Sequence, residues 1–266
     1  MSRFNSTKQH YNTFLMPQNT CKIVGFIPAR AQSTRFPGKP LADIQGKPMI
    51  VRVVERALQS PLLDKVYVAT DAEEILRAVQ DHGCLALLTS EDHHSGTDRI
   101  AQAARDIGLL AKDVVVNIQG DQPLFDPVMI DEVVQPLLAD ETIPMTTLIY
   151  EIIRDEEITH PNAVKTVMDR EGFAIYFSRS TIPFFRGSKS PPLYFKHHGI
   201  YAYRNDFLQT FASLPQGYLE QVEHLEQLRA LEHGFQIKVV LTDKDSIEVD
   251  TPEDLERVRE TYRKMI

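Results

Sequence analysis

From Pro28 to Leu41 the chain reads Pro-Ala-Arg-Ala-Gln-Ser-Thr-Arg-Phe-Pro-Gly-Lys-Pro-Leu, placing the cations Arg30, Arg35 and Lys39 and the hydroxyls Ser33 and Thr34 in one loop. Guanidinium groups fork onto phosphate oxygens, an ammonium adds a point charge and loop amides add donors, so the set reads as a phosphate-binding loop. It is not a Walker loop: Gly25 to Gly38 is too long a gap, Pro40 stands where a metal-binding hydroxyl would be, and no G-x-G-x-x-G occurs. A second candidate is Val114-Val115-Val116-Asn117-Ile118-Gln119-Gly120-Asp121, an apolar run emptying into Gly-Asp. That pattern predicts a carboxylate at the carboxyl end of a strand, with a glycine that lets a ligand approach the backbone. Such an acid suits Mg²⁺, a hard cation that takes one or two carboxylates together with phosphate oxygens. A further carboxylate stands at Val249-Asp250-Thr251-Pro252, where Asp250 fits metal binding and helix N-capping equally well.

These groups need a sheet to bring them together. Ile23 to Ile27, Lys65 to Ala69, Cys84 to Leu88 and Val114 to Ile118 read as strands, alternating with helix-like segments near 48–58, 72–82, 97–108 and 127–139. Helix starts are expected at Asp71, at Thr97-Asp98 and at Asp126-Pro127. The first ~140 residues thus read as a doubly wound α/β unit, whose ligands bind at the carboxyl ends of the strands. From Pro144 the pattern changes: Met145 to Ile153, Ala163 to Met168, Phe173 to Phe177 and Gly199 to Tyr203 look like strands without long helices between them. An antiparallel extension over about 144–205 is expected there, for dimerisation or for covering a substrate. A helix at about 219–233, a strand at Gln236 to Leu241 and a last helix from Thr251-Pro252-Glu253 return to α/β style.

Composition narrows the function classes. The chain has 266 residues, 42% of them hydrophobic and 25% charged, with 29 Lys+Arg against 37 Asp+Glu for a net charge of −8. A chain of this size buries roughly three quarters of its unfolded surface and needs no disulfide staples. The acidic balance and the absence of a basic run argue against nucleic acid as a partner. No apolar stretch reaches membrane-spanning length, and residues 1–20 lack a signal-peptide core. Those residues read as a flexible tail before a single domain over 21–266. Cys21 and Cys84 read as plain thiols of a reducing cytoplasm.

With these motifs in place, a resemblance emerges. Ile27-Pro28-Ala29-Arg30 through Leu41, Ala69-Thr70-Asp71, Ser95-Gly96-Thr97-Asp98-Arg99, Asn117-Ile118-Gln119-Gly120-Asp121 and Pro161-Asn162-Ala163-Val164-Lys165 follow one another in order. So do Tyr176-Phe177-Ser178-Arg179, His197-His198-Gly199-Ile200-Tyr201, Leu225-Glu226-Gln227-Leu228-Arg229 and Val249-Asp250-Thr251-Pro252-Glu253-Asp254-Leu255. The series resembles the 3-deoxy-manno-octulosonate (KDO) cytidylyltransferases, the CMP-KDO synthetases, over about residues 22–262. The resemblance implies a Rossmann-like, glycosyltransferase-A-type nucleotidyltransferase fold with a mainly parallel central sheet and a small antiparallel extension. It also implies a homodimer, dependence on Mg²⁺, and a reaction in which CTP and KDO give CMP-KDO and pyrophosphate for lipopolysaccharide synthesis.

Position by position, the resemblance implies that Arg30, Arg35 and Lys39 hold the triphosphate and that Asp121 and Asp250 bind Mg²⁺. Pro28, Ala29, Ser33, Thr34, Thr70, Asp71, Ser95, Gly96 and Thr97 would complete the nucleotide site. Arg99, Gln119, His197, Tyr201, Glu226 and Gln227 would form the sugar pocket, with Arg99 and His197 facing the sugar carboxylate. Periodicity puts Glu226 inside the apolar arc of a helix over 219–233, where a carboxylate needs a partner. Alternation along a strand sends His197 and His198 to opposite faces, and the resemblance selects His197. Two departures are visible: Gln122 stands where many relatives carry Glu, and Glu248 replaces a smaller, Gly-rich approach to Asp250. Either change can tune the sugar, so the 8-amino analogue of KDO is an alternative acceptor, with sialic acid behind it. A non-catalytic nucleotide-sugar sensor would have lost a metal carboxylate or a triphosphate cation, and all are present.

Overall fold

The structure, a computed structural model, describes residues 21–30, 36–187 and 192–265. The tail expected over 1–20 and the loop residues Ser33, Thr34 and Arg35 lie outside the described residues. The chain enters as β1 (Ile23–Ala29), passes a 3₁₀ turn at Lys39–Leu41 and a small hairpin of β2 (Asp43–Ile44) and β3 (Lys47–Pro48), and reaches α1 (Met49–Ala57). There follow β4 (Lys65–Thr70), α2 (Glu73–Asp81), β5 (Leu85–Leu88), α3 (Gly96–Asp106), β6 (Val114–Asn117), α4 (Val128–Ala139) and β7 (Met145–Glu151). The next part comprises α5 (Asp155–Thr159), β8 (Lys165–Met168), β9 (Ala174–Ser178), β10 (Phe195–Arg204) and α6 (Asn205–Ser213). Last come α7 (Tyr218–Glu223), α8 (Leu228–Glu232), β11 (Lys238–Thr242) and α9 (Pro252–Met265).

The main sheet has the order β11-β7-β10-β6-β1-β4-β5. Pairing is parallel between β1 and β4, β1 and β6, β4 and β5, and β7 and β11, whereas β10 runs antiparallel to both β6 and β7. Alternate residues of the central strands feed two cores. Ile27 and Val116 pack with α1, α2 and α4, while Phe26 and Val115 pack with α3, α6 and α8. Burial on both faces is why β6 reads as a continuous apolar run. The third core, Ile44, Met49, Val249, Leu255, Val258 and Tyr262, fastens α9 to the small hairpin.

The mixed α/β architecture agrees with the sequence reading, and four elements differ from it. First, the segment 144–205 is not an appendage: β7 and β10 are inner strands of the main sheet, and β8 and β9 alone form the annex, joined through β8 to β10. Met145 to Ile149 are all buried, the environment of an inner strand rather than of an added one. Second, the helix expected over 219–233 is broken, because His224 turns left-handed at φ 52° and the chain reorients before α8. Val222, which an unbroken helix would carry on the same apolar arc as Leu219, is 59% exposed. Third, α6 was not anticipated, although Phe207, Leu208 and Phe211 supply its buried face. Fourth, β5 is an edge strand with Leu85 and Leu88 largely exposed, not a buried one.

Candidate active site

Of the phosphate-loop cations, the described residues Arg30 and Lys39 lie with both candidate metal carboxylates at the carboxyl ends of β1 and β6. Lys39 opens the 3₁₀ turn after Gly38, whose left-handed φ of 73° suits glycine. Its ammonium lies 2.7 Å from Asp121 Oδ2 and 3.5 Å from Asp250 Oδ1. The two acidic loops are also tied through the backbone, where the Val249 N–H donates to the Asp121 carbonyl at 2.9 Å. Gly120 serves packing rather than ligand approach: a Cβ there would come 3.2 Å from the Pro28 carbonyl oxygen and 3.2 Å from Ile50 Cδ1. Pro28 also meets the start of α3, since a Cβ on Gly96 would lie 3.2 Å from its Cγ. Arg30, partly buried, follows directly at the end of β1.

The competing role for Asp250 goes to its neighbour. The Thr251 hydroxyl accepts from the Asp254 N–H at 3.2 Å while Asp254 Oδ2 accepts from the Thr251 N–H at 3.0 Å, so Thr251 is the N-cap of α9 in a reciprocal capping box. Asp250 is therefore not the cap, and its carboxylate turns toward Lys39. The donor set suits a hard divalent ion: two carboxylates converge on one cationic atom, and among the described residues no third His, Cys, Asp or Glu completes a closed metal cage. Two carboxylates with positions left for phosphate and water is the arrangement Mg²⁺ takes. Beside them the Gln122 amide donates to Glu248 Oε1 at 3.0 Å. Partial burial, then the charges of Asp121 and Asp250, raise the Glu248 pKa.

Several expected contact residues turn out to be committed within the protein. Arg99 has no exposed surface and donates to Asp71 Oδ2 at 2.6 Å and to the Thr89 hydroxyl at 2.5 Å. It cannot reach a sugar carboxylate from there, and it holds Asp71 instead. Asp71 in turn does not cap α2, whose N-cap position is Ala72. Burial pulls the Arg99 pKa down against the attraction of Asp71, and the charge of nearby Arg30 adds to the fall. Thr70 is also fully buried, its hydroxyl accepting from the Ala72 N–H at 3.2 Å. Ser95 caps α3 by accepting from the Asp98 N–H at 3.0 Å, and the Thr97 hydroxyl donates to Glu226 Oε2 at 2.6 Å.

The sugar-pocket candidates divide into two groups. Glu226 lies in the break between α7 and α8, not on a helix face, and with Ser95 and Arg229 it lines a cavity of about 680 Å³. The break is braced by Arg229, which forks onto both oxygens of Glu220 at 2.6 and 2.8 Å. Burial raises the Glu226 pKa although Thr97 opposes it. Gln227, 4% exposed, leaves its Nε2 without a hydrogen-bond partner among the described residues. The second group surrounds a bulge in β10. There Gln119 donates to the Gly199 carbonyl at 2.6 Å, and the His197 ring packs against Tyr201 and Phe177.

His197 Nε2 lies 2.9 Å from the Thr147 hydroxyl, which also faces the carbonyls of His198 and Ile200 at 3.1 and 2.9 Å. A hydroxyl has one proton, and the carbonyls claim it, so the imidazole carries its own proton on Nε2. Burial, reinforced by His198, lowers the His197 pKa to about 3. A neutral ring with its donor engaged suits a hydroxyl of a ligand, not the carboxylate expected from the sequence. A group the sequence did not signal adjoins it. Lys196 bridges Glu157 Oε1 and Asp245 Oδ2 at 2.7 and 2.9 Å, tying β10 to α5 and to the loop that leads to Asp250.

Comparison with known proteins is consistent with this geometry. A family model described as cytidylyltransferase matches residues 24–244. A 3-deoxy-manno-octulosonate cytidylyltransferase of Syntrophus aciditrophicus (strain SB) is 57% identical over 239 residues, covering 90% of this chain and 96% of that protein. An 8-amino-3,8-dideoxy-manno-octulosonate cytidylyltransferase of Shewanella sp. (strain ANA-3) is 53% identical, covering 87% of this chain and 94% of that protein. Among solved structures, a CMP:2-keto-3-deoxy-manno-octonic acid synthetase complexed with CTP superposes with a TM-score of 0.87 at 42% identity, covering 92% of this chain and all of that one.

Proposed function

The chain belongs to the cytidylyltransferase family, and from that premise we propose that it transfers CMP from CTP to the anomeric hydroxyl of KDO, releasing pyrophosphate and supplying CMP-KDO for lipopolysaccharide synthesis. The observation that carries the mechanism is the convergence of Asp121 and Asp250 on Lys39 at the carboxyl ends of β1 and β6. In-line attack of the sugar oxygen on the α-phosphorus asks the protein mainly for positioning and for stabilisation of charge. Arg30, Arg35 and Lys39 would neutralise the triphosphate and then the departing pyrophosphate, with Pro28, Ala29, Ser33, Thr34 and Gly96 around them. Ser95 and Thr97 would border the cytidine, and Thr70 and Asp71 would shape that wall from within. Asp121 and Asp250 would hold Mg²⁺, which when bound offsets negative charge on the phosphates.

On the acceptor side, Gln119, His197, Tyr201, Glu226 and Gln227 would meet sugar hydroxyls, and Arg99 would act through Asp71. The 8-amino analogue of KDO is a second reading, supported by the relative of that name and by the Gln122–Glu248 pair beside the carboxylates. The exposed apolar side chains of Ile175, Phe184 and Leu193, on and after the annex, support a homodimer. No helix among the described residues is long and apolar enough to cross a membrane, and a cytoplasmic place is proposed with the family's soluble substrates.

Pyrophosphate release from the purified protein with CTP and Mg²⁺ tests the reading, with KDO, its 8-amino analogue and a sialic acid offered in parallel. Release with KDO supports it, and preference for the amino analogue replaces the acceptor within the same reaction. Silence with all three from a folded protein that binds CTP overturns it in favour of a sensor.

A further inference from the structure

A cavity of about 640 Å³ opens at the carboxyl edge of the sheet, between α5, the start of β10 and the loop from β11 to α9. Four side chains of its wall each hold a buried atom that has no hydrogen-bond partner among the described residues: Gln122 Oε1, Glu157 Oε2, His198 Nε2 and Ser246 Oγ. Gln122 and His198 are 1% and 5% exposed, so these are interior groups and not loop ends in water. Buried polar atoms cost stability unless something completes them, and four along one wall mark a place where a ligand does so. Gln122 is held in orientation by its donation to Glu248, which leaves Oε1 as the unsatisfied end.

The unmet valences identify the ligand class. Gln122 Oε1 and Glu157 Oε2 only accept, while Ser246 and the neutral His198 ring work in either direction. Burial lowers the His198 pKa to about 4 despite Asp245, whose Oδ1 lies 3.5 Å from Nε2. Each cation of the wall already faces a carboxylate: Lys196 binds Glu157 and Asp245, Arg154 binds Glu157, and Arg257, largely exposed at the rim, lies 3.7 Å from Asp254. The buried part of the wall, where Lys196 is held between two carboxylates, therefore favours a neutral or cationic ligand over an anion. A chain of hydroxyls, or one ending in an ammonium, finds several acceptors. The wall also runs into the reaction centre, since Gln122 follows Asp121, Glu248 lies two residues before Asp250, and His197 borders both regions.

We propose that this cavity receives the polyhydroxylated tail of the acceptor sugar, with Gln122, Ser246 and His198 as specificity-determining residues; the inference rests on the acceptor reading given above. The test is steady-state kinetics of the full chain with CTP and Mg²⁺, comparing the wild type with Ser246→Ala and His198→Phe. The acceptors are KDO, its 8-amino analogue, and a shortened acidic ketose that keeps the ring but lacks the tail carbons. Loss of one neutral hydrogen bond raises the KM for a tailed acceptor about fivefold, with kcat, the KM for CTP and both constants for the shortened ketose unchanged. Such a rise for KDO or for the amino analogue supports the proposal, and the acceptor more affected shows which tail the cavity fits. An unchanged KM for both tailed acceptors in Ser246→Ala, or an equal rise for the shortened ketose, overturns it and leaves the functional reading standing. A wild type that turns over none of the acceptors overturns the functional reading and this inference with it.

Discussion

Arg99 donates to Asp71 Oδ2 at 2.6 Å from a position with no exposed surface, linking the first turn of α3 to the carboxyl end of β4. A cation in a motif that suggests a carboxylate clamp is thereby used inside the protein. The pair orients the strand end that borders the proposed cytidine site.

Removing one partner of such a pair leaves a charge without compensation. Arg99→Met is expected to lower the unfolding free energy by about 3–5 kcal/mol, read from urea midpoints. Adding Asp71→Asn should recover part of that loss. If Arg99 contacted the sugar carboxylate instead, Arg99→Met would raise the KM for the acceptor with little change in the midpoint.

Lys39 occupies the position between the two carboxylates that a divalent cation would take. Lys39→Met should bind Mn²⁺ about tenfold more tightly in the absence of nucleotide, a change of ~1.4 kcal/mol measurable by calorimetry, while CTP binds more weakly. Asp121→Asn should lose Mn²⁺ binding and more than about a hundredfold of kcat with an unchanged melting curve. Equal Mn²⁺ affinity in wild type and Lys39→Met would contradict the competition.

Thr251 holds the N-terminus of α9, and the same turn aims Asp250. Thr251→Ala should cost about 1 kcal/mol. Melting temperature should drop by about 2–4 °C. Because Asp250 loses its support, kcat should fall further than this modest loss of stability explains. Thr251→Ser should restore both quantities.

His197 and His198 give stability a definite pH dependence. Burial lowers His197 from its ordinary 6.5 to about 3 and His198 from 6.5 to about 4. The unfolded chain therefore takes up protons near pH 6.5 that the folded chain refuses, so it binds more protons over this range and stability declines as pH falls. Stability owed to neutral imidazoles is complete above pH 6.5 and is lost progressively toward pH 3. Urea midpoints between pH 8 and 5 should show this decline, and His197→Gln should flatten it. A wild-type midpoint constant across the range would refute the assignment.

Much of the nucleotide half was readable because inner strands of a parallel sheet announce themselves as apolar runs, and the residues that follow them fall at one edge. Val114 to Asn117 leading to Asp121 is such a case. The Lys39 contacts were not readable, since its partners lie 82 and 211 positions away and only the folded sheet brings them together. The break at His224 was hidden because apolar spacing continues across it, while the backbone reversal depends on the Arg229–Glu220 fork. Asp250 and Thr251 are both capping residues before a proline, and the choice turned on Asp254 three residues beyond Thr251. Arg99 looked like a ligand residue because a motif records that a side chain matters without recording which way it faces.

The reversed direction of β10 has a consequence for how this molecule can change. The annex of β8 and β9 enters the chain between β7 and β10, and β10 returns with its first residues at the carboxyl edge of the sheet, beside the candidate active site. Insertions, deletions or substitutions in the annex can therefore reshape one wall of the site while the loops after β1 and β6 stay as they are. One wall of the site can thus drift with that segment while the loop that carries Arg30 and Lys39, on the proposed triphosphate side, is inherited intact.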